Sequence, residues 1–268
     1  MAASSKDLTR QIAVISATVF MVISSLAGRG LIGDTPVEDA QGGALDSDAT
    51  LLTPASTAFA IWSAIYVLMI GYAIWQALPN QRTRERQRAI GWWIALSAVL
   101  NGVWILLALY TTLLVSVIGI VALLIVLCIA FQRTVAYPAE GFLDSFLTDL
   151  SVGLHLGWVS LATVANVSAW LTEEGPAEWA DAGTPIGVAV VIVVGLIGLA
   201  VAWRSGWHVS PGLALAWGLG WVAYNRLALE PRDTAIGVTA IIVGVLVILV
   251  PVVATLASRV VGARNAEA

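Results

Sequence analysis

Eight apolar runs, near 11–28, 55–78, 89–109, 112–132, 147–171, 185–203, 209–228 and 234–257, leave this chain little alternative to folding within a membrane. Crossing about 30 Å of hydrocarbon takes roughly 20 apolar residues, and shorter runs suffice for the core helices of soluble proteins. Hydrocarbon offers no water to backbone N–H and C=O groups, so each run is expected to be an α-helix. Runs three and four are joined only at Tyr110-Thr111-Thr112, as in an antiparallel helix pair. The fold expected is therefore all-α, a polytopic membrane helical bundle of about eight transmembrane helices. Composition agrees: 11% of the residues are charged, against about a quarter in a soluble domain.

Arginine and lysine set the orientation, because cytoplasmic loops are enriched in both. With the N-terminus inside, Lys6, Arg10, Arg82, Arg84, Arg86, Arg88, Arg133, Arg204, Arg259 and Arg264 face the cytoplasm; Arg29, Arg226 and Arg232 fall outside. Asp34, Glu38, Asp39, Asp46 and Asp48 share one outer loop, and Glu173, Glu174, Glu178 and Asp181 another. An eight-span chain with both termini cytoplasmic satisfies every loop, and a prokaryotic cytoplasmic membrane is the expected location. Lys6 and Arg10 followed by an apolar run ending in Ser25-Leu26-Ala27 also fit a cleavable signal peptide. Segment 29–52 is long enough to be functional or disordered. The clustered arginines occupy one short inter-helix loop, so no nucleic-acid partner is expected.

At about 100° per residue, three helices each carry an aromatic and polar stripe. Run two aligns Phe59, Trp62, Tyr66, Ile70 and Ala73; run three Trp93, Ser97, Asn101 and Trp104; run five His155, Trp158, Ala162 and Asn166. Headgroup-level anchoring accounts for Trp75, Trp92, Trp170, Trp179, Trp203 and Trp207, but Trp62, Trp104 and Trp158 lie too deep for it. Asn101 and Asn166 suit interhelical hydrogen bonding and ligand contact equally. His155 is an intramembrane ionisable group expected to face the protein interior, either bonded to a neighbouring helix or contacting a ligand. Gly153 and Gly157, on the opposite side of that helix, form a small-xxx-small pair suited to close packing. Run seven aligns Trp217, Trp221, Tyr224 and Asn225; Arg226 is expected to snorkel to the surface, Asp149 to be solvated, and Cys128 to be small packing material.

No nucleotide-binding loop, nucleophile–base–acid set or paired carboxylates occur. With one cysteine and two histidines, a structural zinc site is not expected, and no cofactor is required. No span contains lysine, which excludes a retinal Schiff base, and deep acids are missing, which argues against proton-coupled transport.

These stripes resemble the tryptophan-rich sensory protein family, also called the translocator protein or peripheral benzodiazepine receptor family. Pro54, Phe59-x-x-Trp62-x-x-x-Tyr66-x-x-Met69 is similar to the family's second-span signature. Leu100-Asn101-x-x-Trp104 is similar to its third-span motif, and Trp158-x-x-x-Ala162-x-x-x-Asn166 to its fifth. Ala55 replaces the second proline of the usual Pro-Pro step, Phe59 and Trp62 stand one residue closer than in short members, and the first outer loop lacks the family's Trp-Tyr pair. The resemblance implies a five-span ligand-binding unit over 1–175 with three additional helices over 176–268. It further implies a bundle, often dimeric, around a pocket for a flat hydrophobic ligand such as a tetrapyrrole or a sterol. Phe59, Trp62, Tyr66, Asn101, Trp104, His155, Trp158, Ala162 and Asn166 would line that pocket. Three functions are then open: a sensor or carrier, a transporter, and an enzyme modifying bound porphyrin. The last has no base better than His155, so binding is favoured over catalysis.

Overall fold

The computed structural model describes residues 4–33 and 35–267. Asp34, among the outer-loop acids, and the side chains of Arg259 and Arg264 lie outside the described residues. The long helices are α1 (Ser5–Gly28), α2 (Ile61–Gln76), α3 (Glu85–Tyr110), α4 (Leu113–Ala136), α5 (Ser151–Glu174), α6 (Gly183–Arg204), α7 (Ser210–Ala228) and α8 (Thr234–Glu267). Pro54 precedes a 3-10 turn, Ser56–Ala60, that leads into α2, and a π-helical stretch, Ser145–Leu150, leads into α5. All but α7 are long and apolar enough to cross a membrane, α2 only together with its 3-10 entry, as Ser56–Gln76. In α7, Trp217, Trp221, Tyr224, Asn225 and Arg226 dilute the aliphatic residues, and its burial comes from packing against α5 and α8.

Consecutive helices alternate in direction, which gathers the expected cytoplasmic residues at one end. There Arg88 holds Asp7 through two hydrogen bonds of 2.7 Å, and Arg10 donates to the Arg82 carbonyl at 3.0 Å. Arg86 pairs with Asp144 at 3.1 Å and also with Asp149. The expectation that Asp149 is solvated is corrected by that pairing, its side chain being only 13% exposed. Losing Arg86 would leave Asp149 without its ion partner and Asp144 with only Arg84 at 3.7 Å, so this ion set ties α3 to the start of α5. Near the end of α4, Phe131 contacts the His208 ring of the α6–α7 turn edge-on at 6.2 Å.

Glycines allow the closest helix approaches. A Cβ on Gly102 would stand 2.6 Å from the Phe20 ring, which marks the contact of α1 with α3. Val14 and Met21 of α1 are fully buried, so Ser5–Gly28 is part of the bundle. Between α5 and α7, a Cβ on Gly157 would come 2.0 Å from the Pro211 carbonyl oxygen, and one on Gly153 would meet Ser210. The small-xxx-small pair thus packs on the additional helices.

Several outward-facing readings change. Arg226 does not snorkel; it is fully buried and donates to the Pro231 carbonyl at 2.7 Å. Asn225 leaves the Trp217–Trp221–Tyr224 row and turns inward, because Ser47 and Thr53 offer it carbonyl oxygens at 2.7 and 3.0 Å. Trp75 is buried against Tyr72 rather than anchored at the headgroups, and Ile70 faces outward. Cys128 is exposed on the outer surface of α4 rather than packed inside. Trp92, Trp179 and Trp203 are exposed, as interfacial anchors are.

The glycine contacts predict a contrast. Gly157→Ala should destabilise the protein by about 1–3 kcal/mol, because its methyl group meets backbone that cannot yield. Gly220→Ala has open space around it and should gain up to about 1 kcal/mol from helix propensity. Thermal unfolding of the two variants in detergent measures the difference.

Candidate functional site

Trp62 is the hub of an aromatic cluster between α2 and α5. Its indole stacks on Tyr66 one turn along α2, with centroids 5.3 Å apart and planes at 20°. From α5, His155 and Trp158 meet it edge-on at 5.8 and 6.1 Å. Phe59, at the 3-10 entry to α2, contacts Trp158 edge-on at 5.7 Å. Edge-to-face and stacked pairs each add about 0.5–1.5 kcal/mol beyond the area they bury, so this cluster is firmly held. The 3-10 turn sets Phe59 at the upper edge of the stripe that Trp62 and Tyr66 continue in α2.

Helices α3 and α4 complete the polar side. Tyr66 donates its hydroxyl to Asn101 Oδ1 at 3.3 Å, and Ser116 of α4 donates to Asn166 Oδ1 at 2.9 Å. Both asparagines therefore make the interhelical bonds their depth suggests. Of the nine buried side-chain polar atoms without a hydrogen-bond partner among the described residues, four lie here: Asn101 Nδ2, Trp104 Nε1, His155 Nε2 and Trp158 Nε1. An unsatisfied buried polar atom costs about 1–3 kcal/mol, which is sustained where a function uses it. All four belong to the residues singled out from the sequence stripes.

These residues surround two adjoining chambers. The larger, about 240 Å³, is lined by Trp62, Tyr66, Ile105, Ser25, Gly28 and Arg29, with Pro36, Val37 and Glu38 from the first outer loop. The smaller, about 30 Å³, is lined by Trp158, Leu161, Ala162, Ala165 and Asn166, with Ala44, Leu45, Thr53 and Pro54. Phe59, Trp104 and Val37 line both and form the partition. Asn101 and His155 stand behind the walls and touch Tyr66 and Trp62. The stripes are thus brought together around a divided cavity, with Trp62 on one side and Trp158 and Asn166 on the other.

The first outer loop is an ordered roof over the larger chamber. Pro36 bridges to Arg29, Val37 N–H donates to the Gly28 carbonyl at 2.9 Å, and Gln41 donates to the Ala108 carbonyl at 2.7 Å. Gln41, Gly42 and Gly43 all take positive φ, which two glycines in succession make feasible. Helix α7 anchors the rest of the roof: Asn225 holds Ser47 and Thr53, and Trp217 donates to the Ala58 carbonyl at 2.9 Å. Sequence reasoning missed the roof residues Arg29, Pro36, Val37 and Glu38 and the lining residues Leu161 and Ala165. A loop has no periodicity to mark its inward face, and the acids of this one drew attention only to its charge. Among the described residues, no group of three or more His, Cys, Asp or Glu is placed to hold a metal ion.

Eight long helices among the described residues, with α1, α2, α3 and α5 lining an aromatic cavity under the first outer loop, define an integral membrane protein. A family model described as TSPO-like protein matches residues 10–253, and the chain belongs to that family. The match includes α6, α7 and most of α8 together with the first five helices. Membership makes this a membrane-embedded ligand-binding or transport protein. Comparison with curated proteins and with solved structures gives no match.

The 3.3 Å Tyr66–Asn101 bond should be measurable without any ligand. A double-mutant cycle with Tyr66→Phe and Asn101→Leu, read by thermal or denaturant unfolding, should give a coupling of about 0.6 kcal/mol. It should not exceed roughly 1.7 kcal/mol, as for other hydrogen bonds within membranes.

Proposed function

We propose that this protein is a sensor or carrier that binds a flat hydrophobic ligand, such as a tetrapyrrole, within the bundle. The observation that carries this reading is Trp62, which touches Tyr66, His155 and Trp158 while lining the larger chamber. A flat conjugated ring stacks on indole faces, and a few convergent polar atoms fix its orientation. Ligand cavities usually run to about 300–1,000 Å³; the larger chamber, at about 240 Å³, lies just below that range. A macrocycle therefore needs the partition of Phe59, Val37 and Trp104 to yield, joining the two chambers. Sensing and carrying are favoured over catalysis because His155, the one candidate base, contacts rings and has no carboxylate ion partner among the described residues.

The test is a fluorescence titration of the purified full-length protein with protoporphyrin. Bound macrocycle should quench tryptophan emission, and Trp158→Leu should weaken binding about tenfold, the effect of removing roughly 1.4 kcal/mol of ring contact. Trp203→Leu, on the exposed surface of α6, should bind as the parent does. Equal affinities for all three proteins would mean partitioning into detergent and would end the pocket reading.

We further propose that the basic end, which carries both termini, is cytoplasmic, on the strength of its arginines. Tags inserted after Arg88 and appended at Ala268 should then be cytoplasmic, and one between Glu173 and Asp181 external. Accessibility labelling in intact cells measures this, and a cytoplasmic 173–181 tag would overturn the orientation.

A further inference from the structure

The larger chamber carries charge only at its roofed end. Arg29 follows the last turn of α1 and lines the chamber beside Gly28, Pro36 and Glu38. Its guanidinium donates to the Ser63 hydroxyl of α2 at 3.1 Å, so it lies across the gap between α1 and α2. Among the described residues no acid forms an ion pair with it, whereas Arg10, Arg84, Arg86 and Arg88 at the opposite end are all paired. Glu38 lines the same wall without forming an ion pair with Arg29. Burial, and then Asp46 and Asp39, raise the pKa of its carboxyl. Below these two residues the lining is Trp62, Tyr66, Trp104 and Ile105, with Trp104 Nε1 buried and unpartnered by protein.

A chamber with ring-stacking walls and, at its mouth, one cation without an acidic partner among the described residues fits a ligand that is amphiphilic rather than uniformly apolar. We propose that Arg29 is the anion-binding end of the site, holding a carboxylate borne by the flat ligand, while the ligand's apolar body lies against Trp62, Tyr66 and Trp104. This inference rests on the flat-ligand reading given above. A guanidinium suits the role because its fork of donors matches two carboxylate oxygens, and its weak hydration favours pairing at a partly dry surface. The bond to Ser63 is a single contact with an uncharged hydroxyl, which a carboxylate replaces with a stronger, charge-paired one. Ser63 faces outward on α2, so the bound anion sits at the outer rim of the cavity, the level at which an amphiphile in the bilayer presents its polar end.

The experiment compares protoporphyrin, which carries two carboxylates, with its dimethyl ester. Both are titrated against the full-length protein in phosphatidylcholine nanodiscs, where no anionic lipid is present. Arg29→Gln should weaken the diacid about tenfold or more and leave the ester unchanged, since a hydrogen bond to a charged group is the only contact removed. Arg29→Lys should recover part of the loss, and Glu38→Gln should keep or improve diacid affinity. Arg29 is exposed and makes one side-chain bond, so these variants should fold as the parent does. Equal losses for diacid and ester, or none for either, would overturn the carboxylate assignment while the flat-ligand reading stands. Failure of both probes to bind the unaltered protein would overturn the two together. Phosphatidylglycerol that competes with the diacid in the parent, but not in Arg29→Gln, would assign the arginine to a lipid phosphate and overturn the proposal in that way.

Discussion

The contact of α5 with α7 at Gly153 and Gly157 governs what the remainder of the bundle can do. With a Cβ position 2.0 Å from a backbone carbonyl, neither helix can rotate without collision. That fixed rotation turns the other face of α5, with His155, Trp158 and Asn166, toward α2, α3 and α4. Trp62 then finds two edge-on partners on α5 and one stacked partner on its own helix. The aromatic cluster is thus a consequence of where two glycines sit on the far side of a neighbouring helix.

The same contact gives the C-terminal helices a role at the cavity. Helix α7 packs on α5 at one end and reaches the first outer loop at the other, where Asn225, Trp217 and the Trp221 carbonyl hold Ser47, Thr53, Ala55 and Ala58. Roof and wall are therefore referenced to one element. Arg226 is buried beside Pro231 and Ser47, and burying a guanidinium is expensive unless carbonyl oxygens surround it. Here two carbonyls, of Pro231 and Ser47, accept from its terminal nitrogens, while Nε finds no partner among the described residues.

The two ends of the bundle use arginine differently. At the basic end the guanidinium groups of Arg10, Arg86 and Arg88 are shared among Asp7, Asp144 and Asp149, which stitches α1, α3 and α5 together. At the roofed end Arg29 has a hydroxyl and the edge of a cavity. Paired charges of the first kind hold structure, and the second arrangement is the one proposed to meet a ligand's carboxylate.

The sequence by itself determined the helices, their number and alternation, because lipid permits one backbone solution to a long apolar run. It also marked Trp62, Asn101, Trp104, His155, Trp158 and Asn166, since helical periodicity aligns side chains on one face whatever the neighbours are. Glycine spacing on α5 identified a packing face without naming its partner. Only the tertiary structure decided that this partner is α7, that Asn225 and Arg226 turn inward, and that Asp149 meets Arg86. Each depends on carbonyls or charges contributed by residues far away in the chain, which local pattern does not encode. The division of the cavity by Phe59, Val37 and Trp104, and the placing of Arg29 and Glu38 at its mouth, come from a loop folding back over the helices. Its path follows from bonds to α3 and α7 rather than from any periodicity of its own.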